Sequence, residues 1–289
     1  MGRKWKTSFL TILDYQKMPA VEVIASLKRV GLEGIEWTMN PHFDPDKPKS
    51  QLKELVERTH DAGMEISQIM AHMDLIWLDE KKRKERIDRI VRCIHAAGEL
   101  GLSAVSVLTG PEIWVPGHVR IGEDMSLSAA WGQAIEAFEA FIEAAETAGT
   151  LITSEAVYGM LAHDFYTHKW FMDQVDSPVH KVNFDPSHHV LYGIEDMGWL
   201  IRQWGDRIGH VHLKDGVGVP RPNEFVFCLL GEGRVNWDEF FGALEEIDYR
   251  GFCSLEFESF RFYRQILKND PEAAARMLLE QLKALGALK

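Results

Sequence analysis

EISQIMAHMDLIWLDEKKRKERIDRIVRCIHAAGELGLSAVSVLTG, residues 65–110, carries the pattern that decides the fold. Its ends, 65–71 and 104–109, are short apolar runs of strand length. Between them, 81–100 places Ile87, Ile90, Val91 and Ile94 at the i, i+3, i+4, i+7 spacing of one helix face. Gly101 follows, where a helix wants a left-handed residue beyond its last turn. The charged KKRKER at 81–86 reads as a solvated helix start.

The same unit repeats along the whole chain. Further strands are expected at 6–12, 34–38, 151–156, 181–185, 208–213 and 252–257. Helical patterns fall at about 19–30, 50–62, 126–148, 164–175, 196–204, 236–247 and 270–286. In the 126–148 segment Trp131, Ile135, Phe138, Ile142 and Ala145 form one stripe. Asn236 with Glu239 suggests a capping box, and Asp270-Pro271 an N-cap followed by proline at the first helical position. Gly31, Gly63 and Gly149 stand just past helices, as Gly101 does. Eight strand–helix units with no break in composition predict an α/β fold, a single (β/α)8 TIM barrel spanning 1–289. A doubly wound open sheet would normally have fewer units.

Bulk properties narrow the function. The chain is 46% hydrophobic and 26% charged, with a net charge of −12. So acidic a surface repels a phosphate backbone, which argues against a nucleic-acid partner. No apolar run approaches the ~20 residues of a membrane span, and the N-terminal stretch is broken by Asp14, unlike a signal peptide. Met1-Gly2 lacks the Ser or Thr at position 6 that myristoylation needs. Cys93, Cys228 and Cys253 have neither metal nor redox spacing, which suggests a reducing compartment and a cytoplasmic location.

Four segments of the second half end apolar runs with metal-type ligands: LITSEAV (151–157), KVNFDPSHH (181–189), IGHVHLKD (208–215) and GFCSLEFES (251–259). Strand alternation puts Thr153 with Glu155, Asn183 with Asp185, His210 with His212, and Glu256 with Glu258. A buried, uncompensated charge costs several kcal/mol, so two Glu, one Asp and one His on neighbouring strands call for a divalent cation. His210 is an alternative to His212, and Glu258 to Glu256, because each pair shares a face. Glu36 in GIEW, His72 in QIMAHMD and Glu112 in LTGPE also sit near strand ends, where barrel enzymes keep their chemistry. The loop 111–125 with Trp114 has the length of a lid or subunit contact, or it packs on its own barrel. Gly231 and Gly233 in LGEGR read as a turn, not a phosphate loop, so a phosphorylated substrate is unsupported, and Arg221 and Arg234 are too loosely placed to settle the point. The nine tryptophans suit either sugar stacking or helix packing.

GLEGIEW (31–37), NFDPSHH (183–189), GHVHLKDG (209–216), LGEGRVNW (230–237) and SLEFE (254–258) resemble the sugar phosphate isomerase/epimerase family of the xylose-isomerase-like barrels. Ketose 3-epimerases, inosose dehydratases and endonuclease IV are relatives. The resemblance implies one divalent metal ion, Mn²⁺ before Mg²⁺ or Co²⁺, held by Glu155, Asp185, His212 and Glu256. It implies that His188, in a D-x-x-H pattern, contacts a substrate oxygen; relatives are often dimers or tetramers, so a homo-oligomer is compatible with the resemblance and the oligomeric state stays open. His72, Glu36 and Lys214 are further candidate substrate contacts, His189 is expected to be structural, and His163 reads as a surface residue or an acid–base group for a larger substrate. The chain departs from ketose 3-epimerases after Glu155, where AVYGMLAHD lacks their Asn-Arg stretch, and after His212, where LKDGVGVP lacks their Glu and Arg.

A carbonyl and its neighbouring hydroxyl chelated to such an ion acidify the C–H between them by stabilising the cis-enediolate. Glu155 and Glu256 on opposite faces would remove and return the proton, giving an isomerase or epimerase of a sugar or polyol carbonyl compound. The same enediolate can expel a β-substituent, giving a lyase or dehydratase of an inosose or 3-keto-glycoside. A non-catalytic sugar-binding subunit is a third reading, which the retention of all four ligands opposes. Endonuclease IV relatives hold three zinc ions, yet AVSVLTG and 216–235 offer no extra Asp or His ligands, which opposes a nuclease. A Schiff-base role for Lys214 is weaker than a structural or substrate contact beside Asp215.

Overall fold

A computed structural model describes residues 4–288. Ten strands form among them: β1 (Lys6–Leu10), β2 (Gly34–Thr38), β3 (Glu65–Met70), β4 (Ala104–Val107), β5 (Leu151–Glu155), β6 (His180–Phe184), β7 (Ile208–Leu213), β8 (Asp215–Gly218), β9 (Phe225–Cys228) and β10 (Phe252–Leu255). All but β8 and β9 close into a parallel barrel in the order β1-β10-β7-β6-β5-β4-β3-β2. The helices are α1 (Ala20–Val30), α2 (Lys49–Asp61), α3 (Glu80–Glu99), α4 (Leu127–Ala148), α5 (Phe165–Gln174), α6 (Pro186–Leu191), α7 (Met197–Trp204), α8 (Trp237–Glu246), α9 (Phe260–Gln265) and α10 (Pro271–Ala284). The TIM barrel expected from the eight-fold alternation is the fold. None of these helices is long and apolar enough to cross a membrane.

Barrel strands are covered on both sides, by lumen and by helices, so they need apolar residues on both faces. Every residue of β2 and β4 is accordingly buried. On α3 the buried face is Ile87, Ile90, Cys93, Ile94 and Ala97, close to the expected stripe. On α4 the stripe is rotated from expectation: Ala130, Ala134, Ala137, Phe138, Phe141, Ala144 and Ala145 are buried. Trp131, Ile135 and Ile142 lie half-buried on its flank, with Trp131 against Trp170 and stacked on Phe171. Small alanines let a helix approach the strands closely, and the bulkier residues then fill the seams between helices.

Local signals held in part. Gly31, Gly63, Gly101 and Gly149 all adopt positive φ after their helices. Asp270 accepts from the Ala273 N–H, ahead of Pro271. At α8 only half a capping box forms: Asn236 accepts from the Glu239 N–H, but the Glu239 carboxylate meets the Asn236 side-chain amide. A complete box closes α5 instead, through Asp164 and Thr167. The KKRKER start is not wholly solvated, because Arg83 is buried and paired with Glu80 and Glu136.

The unforeseen elements are α6, α9 and the antiparallel β8–β9 hairpin. All three follow the C-terminal ends of barrel strands, where the ligand candidates gather. The helices have six residues each, too short to show a period.

Candidate metal centre and active site

Four strand ends converge. Glu155 is the last residue of β5, and His212 lies near the end of β7. Asp185 follows β6 as the N-cap of α6, its Oδ1 accepting from the Ser187 N–H at 2.7 Å. Glu256 follows β10, its N–H donating to the Leu213 carbonyl at 3.2 Å. One ligand atom from each of the four lies within 4.8 Å of all the others. Glu155, Asp185 and His212 are buried and Glu256 nearly so.

The imidazole of His212 is oriented from both sides. Its Nδ1 lies 3.3 Å from Glu155 Oε2 and 3.0 Å from Glu256 Oε2. Its Nε2 lies 3.1 Å from Glu36 Oε2, which also faces His210 Nε2 at 3.1 Å. Glu36 Oε1 accepts from Gln68 Nε2 at 2.8 Å, and Gln68 Oε1 accepts from Thr153 Oγ1 at 2.9 Å. This chain of bonds makes Nε2 of His212 the donor to Glu36 and leaves Nδ1 turned toward the carboxylates. Glu36, His210 and His212 also approach one another closely enough to share an ion. Hydrogen bonds to Gln68 and both histidines already occupy that carboxylate.

Three carboxylates and one imidazole form a donor set suited to Mn²⁺, Mg²⁺ or Co²⁺. Asp185 Oδ2 is buried and accepts no hydrogen bond, which fits an atom reserved for a cation. Its nearest positive charge is Lys214 Nζ at 3.0 Å. That ammonium also lies 3.0 Å from Glu256 Oε2 and 2.9 Å from Glu258 Oε2, and 4.6 Å from the Phe227 ring centre. One lysine and one histidine face four carboxylates, so the site carries surplus negative charge. The residues present therefore fit a divalent cation.

Burial alone would lower the Lys214 pKa, but Asp185, Glu256 and Glu258 hold it well above the usual lysine value. A permanently charged amine is no Schiff-base nucleophile, and Lys214 pairs with these three rather than with Asp215. Burial pushes Glu155 up to about 7 against the pull of His212. Burial, reinforced by Lys214, keeps His188 well below the usual histidine range. The Tyr158 N–H donates to His188 Nδ1 at 3.1 Å, and the Lys214 ammonium lies 3.3 Å from His188 Nε2. That nitrogen is 3.6 Å from both Glu155 and Asp185. His72, lowered to about 3 by burial, bonds to Ser106 Oγ at 3.2 Å.

His72, Glu155, His188, Lys214, Glu256 and Glu258 together line the bottom of a cavity of about 1230 Å³. Glu36, expected as a substrate contact near a strand end, does not line it. It is fully buried on the far side of His212 from the other carboxylates. Glu36 is the middle residue of β2, two residues short of that strand's C-terminal end. His210 is likewise held by Glu36, outside the four-residue cluster. His163 bonds to the Met160 and Leu161 carbonyls, and His189 is buried and stacked on Phe184. Arg221 and Arg234 pair with Glu224 and Glu195, outside the cavity.

Two features escaped the sequence reading. Asn183, noticed only for its strand face, donates to Glu155 Oε2 at 2.9 Å. Asp215 is a hub that accepts from the N–H groups of Gly216, Gly231, Gly233 and Val235 and from Trp237 Nε1. It holds LGEGR as the expected turn. Gly233 is required there, since a Cβ would lie 2.1 Å from Asp215 Oδ1.

Known proteins share this architecture. An inosose dehydratase of Bacillus thuringiensis is 33% identical over 100 residues, covering 30% of this chain and 33% of that protein. An L-ribulose 3-epimerase of Methylomonas is 36% identical over 90 residues, covering 31% of this chain and 27% of that protein. These alignments thus span about a third of the length of the curated relatives. The solved D-psicose 3-epimerase of Clostridium cellulolyticum H10 superposes with a TM-score of 0.74 at 19% identity, covering 98% of this chain and 100% of that one. Residues 24–285 match the model of the xylose isomerase-like TIM barrel. The chain belongs to the xylose isomerase-like TIM barrel family.

Proposed function

We propose that this chain is a divalent-metal-dependent isomerase or epimerase of a small sugar or sugar-like hydroxy-carbonyl compound. The observation that carries this reading is the convergence of Glu155, Asp185, His212 and Glu256 within 4.8 Å of one another, with Glu155 and Glu256 lining a ligand-sized cavity. When bound there, a divalent ion would supply Lewis-acid stabilisation of the negative charge that develops on the substrate oxygens. Mn²⁺ is the first choice, with Mg²⁺ and Co²⁺ as alternatives.

The chain's own residues then divide the work. Glu155 removes the proton from the carbon beside the carbonyl, and Glu256 delivers one to the other face, which inverts the carbon. His188 contacts a substrate oxygen through Nε2, beside the Lys214 ammonium. Lys214 holds Glu256 and Glu258 in place and offers its ammonium to a second substrate oxygen. His72 is a neutral partner at the edge of the same surface. Glu36 acts through His212 as a positioning residue. With three free cysteines, we place the protein in the cytoplasm.

A second reading keeps these residues and changes the outcome: elimination of a β-substituent, as a dehydratase or lyase. The similarity to inosose dehydratases favours it. Proton exchange in D₂O separates the two. Mn²⁺-loaded protein incubated with ketoses, inososes and 3-keto-glycosides should place deuterium on a carbon next to the carbonyl, and the labelled product should be an epimer, an isomer or an alkene-derived ketone. Absence of exchange across the panel, with Mn²⁺ demonstrably bound, would refute the proton-transfer reading.

A further inference from the structure

The cavity is larger and drier than a free sugar needs. Small-molecule sites usually measure about 300–1,000 Å³ and surround drug-sized ligands; this one reaches about 1230 Å³. Its polarity is layered. At the bottom lie His72, Glu155, His188, Lys214, Glu256 and Glu258. Above them, the buried or half-buried apolar lining includes Leu108, Ile113, Val157, Phe225, Phe227, Leu229 and Phe262, with the Tyr158 ring packed 4.6 Å from Phe225. Of the remaining polar lining residues, Ser259 is half-buried next to Glu258, and Asn223, Glu232, Arg261, Arg264 and Gln265 are exposed to solvent.

A free ketose carries a hydroxyl on nearly every carbon. Each one pressed against such a belt would lose water without gaining a partner, at the cost of a buried unpaired polar group. The polar bottom accommodates one hydroxy-carbonyl head, and the belt requires something apolar beyond it. Phe225 and Phe227 stand on the β8–β9 hairpin, their rings 5.3 Å apart. Ile113 on the loop after β4 is seated against Gly159, where a Cβ would lie 2.2 Å from its Cδ1 and φ is +79°. That seat carries Trp114 into the cavity wall although 55% of its surface remains exposed. Val226 and Phe260, 58% and 41% exposed, continue the wall outward. Exposed apolar residues that ring one cavity mark a ligand site more than a random surface.

Resting on the enediolate reading above, we propose that the substrate carries a flat apolar substituent, of aryl-glycoside type, attached to the hydroxy-carbonyl head. The head meets the carboxylates, and the aryl group lies in the belt between Trp114 and the aromatic hairpin. The belt is thus a second subsite, built by three segments that the barrel does not need: the 111–125 loop, the hairpin and α9.

The test compares phenyl and methyl 3-keto-glucosides, identical in their heads, by calorimetric titration of the Mn²⁺-loaded protein. The phenyl compound is expected to bind at least about tenfold tighter, ~1.4 kcal/mol. Trp114→Ala should bring that ratio toward one and Trp114→Phe should keep most of it. Equal affinity for the two compounds, or no measurable binding of the phenyl compound, would overturn the proposal. So would a concentration-dependent dimer in sedimentation that Trp114→Ala dissociates, since a second copy would then cover the belt. Deuterium exchange on the methyl compound is read separately. Exchange without phenyl preference overturns the subsite and leaves the enediolate chemistry; phenyl preference without exchange does the reverse.

Discussion

Replacing Glu36 by glutamine changes no volume and removes one charge, yet it should weaken a metal centre that Glu36 does not touch. The Glu36 carboxylate accepts from Gln68 on Oε1 and from His210 and His212 on Oε2. In Glu36→Gln the amide oxygen stays with Gln68, and the NH₂ group faces two Nε2–H donors. His212 then relieves the clash by moving its proton to Nδ1, the nitrogen that lies 3.0 Å from Glu256 and 3.3 Å from Glu155. A protonated Nδ1 cannot ligate. Loss of such a partner behind a metal-binding histidine typically costs about 10–100-fold in affinity. Charge-assisted hydrogen bonds are worth about 1.5–3 kcal/mol each and a neutral one about 1, so losing two and regaining one neutral bond should destabilise the metal-free fold by roughly 2–5 kcal/mol. At about 2–4 °C per kcal/mol, Tm should fall by roughly 4–20 °C. Calorimetric titration with Mn²⁺ and a thermal melt in chelator read the two effects separately. A Mn²⁺ Kd within twofold of the parent, whatever Tm does, would refute the orientation argument and reduce Glu36 to a buried structural group.

Three other outcomes are expected. Glu155→Gln and Glu256→Gln should each slow metal-dependent deuterium exchange by about 10²–10⁴-fold, the usual contribution of a positioned acid or base; exchange within threefold of the parent would remove that residue from the chemistry. Ser154 Oγ lies 2.8 Å from both His168 Nε2 and His180 Nε2, and His180 Nδ1 faces the Val175 carbonyl. Ser154 therefore donates to His180, accepts from His168, and both rings are neutral. Burial lowers His180 to about 4 and His168 well below its usual value. As pH falls below about 6.5 the unfolded chain takes up protons that the folded one refuses, so stability present above that pH is lost toward pH 4, by about 2 kcal/mol at pH 5 from His180 alone. Identical urea midpoints at pH 7 and pH 5 would contradict this. Gly233→Ala should force Asp215 off its turn and cost about 1–3 kcal/mol; a Tm unchanged within 1 °C would show that the hub tolerates the methyl group.

The barrel was legible because its signals are local and repeated. The periodicity of Ile87, Ile90 and Ile94, the glycines after α1 to α4, and eight apolar runs are properties of neighbouring residues, and solvent exclusion acts on each unit alike. Glu155, Asp185, His212 and Glu256 stood out for a related reason: a charge ending an apolar strand is costly wherever the strand lies. Which residues meet is a different matter. Strand alternation put His210 and His212 on one face, but only the register against β6 and β10 sets their depths, leaving His210 on Glu36 and His212 among the carboxylates. The buried stripe of α4 followed the same logic, since alanine's small volume matters only once the facing strand is known. Lys214 looked like a neighbour of Asp215, yet the pleat turns them to opposite sides, one toward three carboxylates and the other toward the LGEGR backbone. The hairpin and the apolar belt left no periodic trace. Sequence by itself determined the units and singled out the acidic ligand candidates, because those depend on what each residue costs to bury; tertiary structure decided depth, partners and the shape of the cavity, because those depend on residues far apart in the chain.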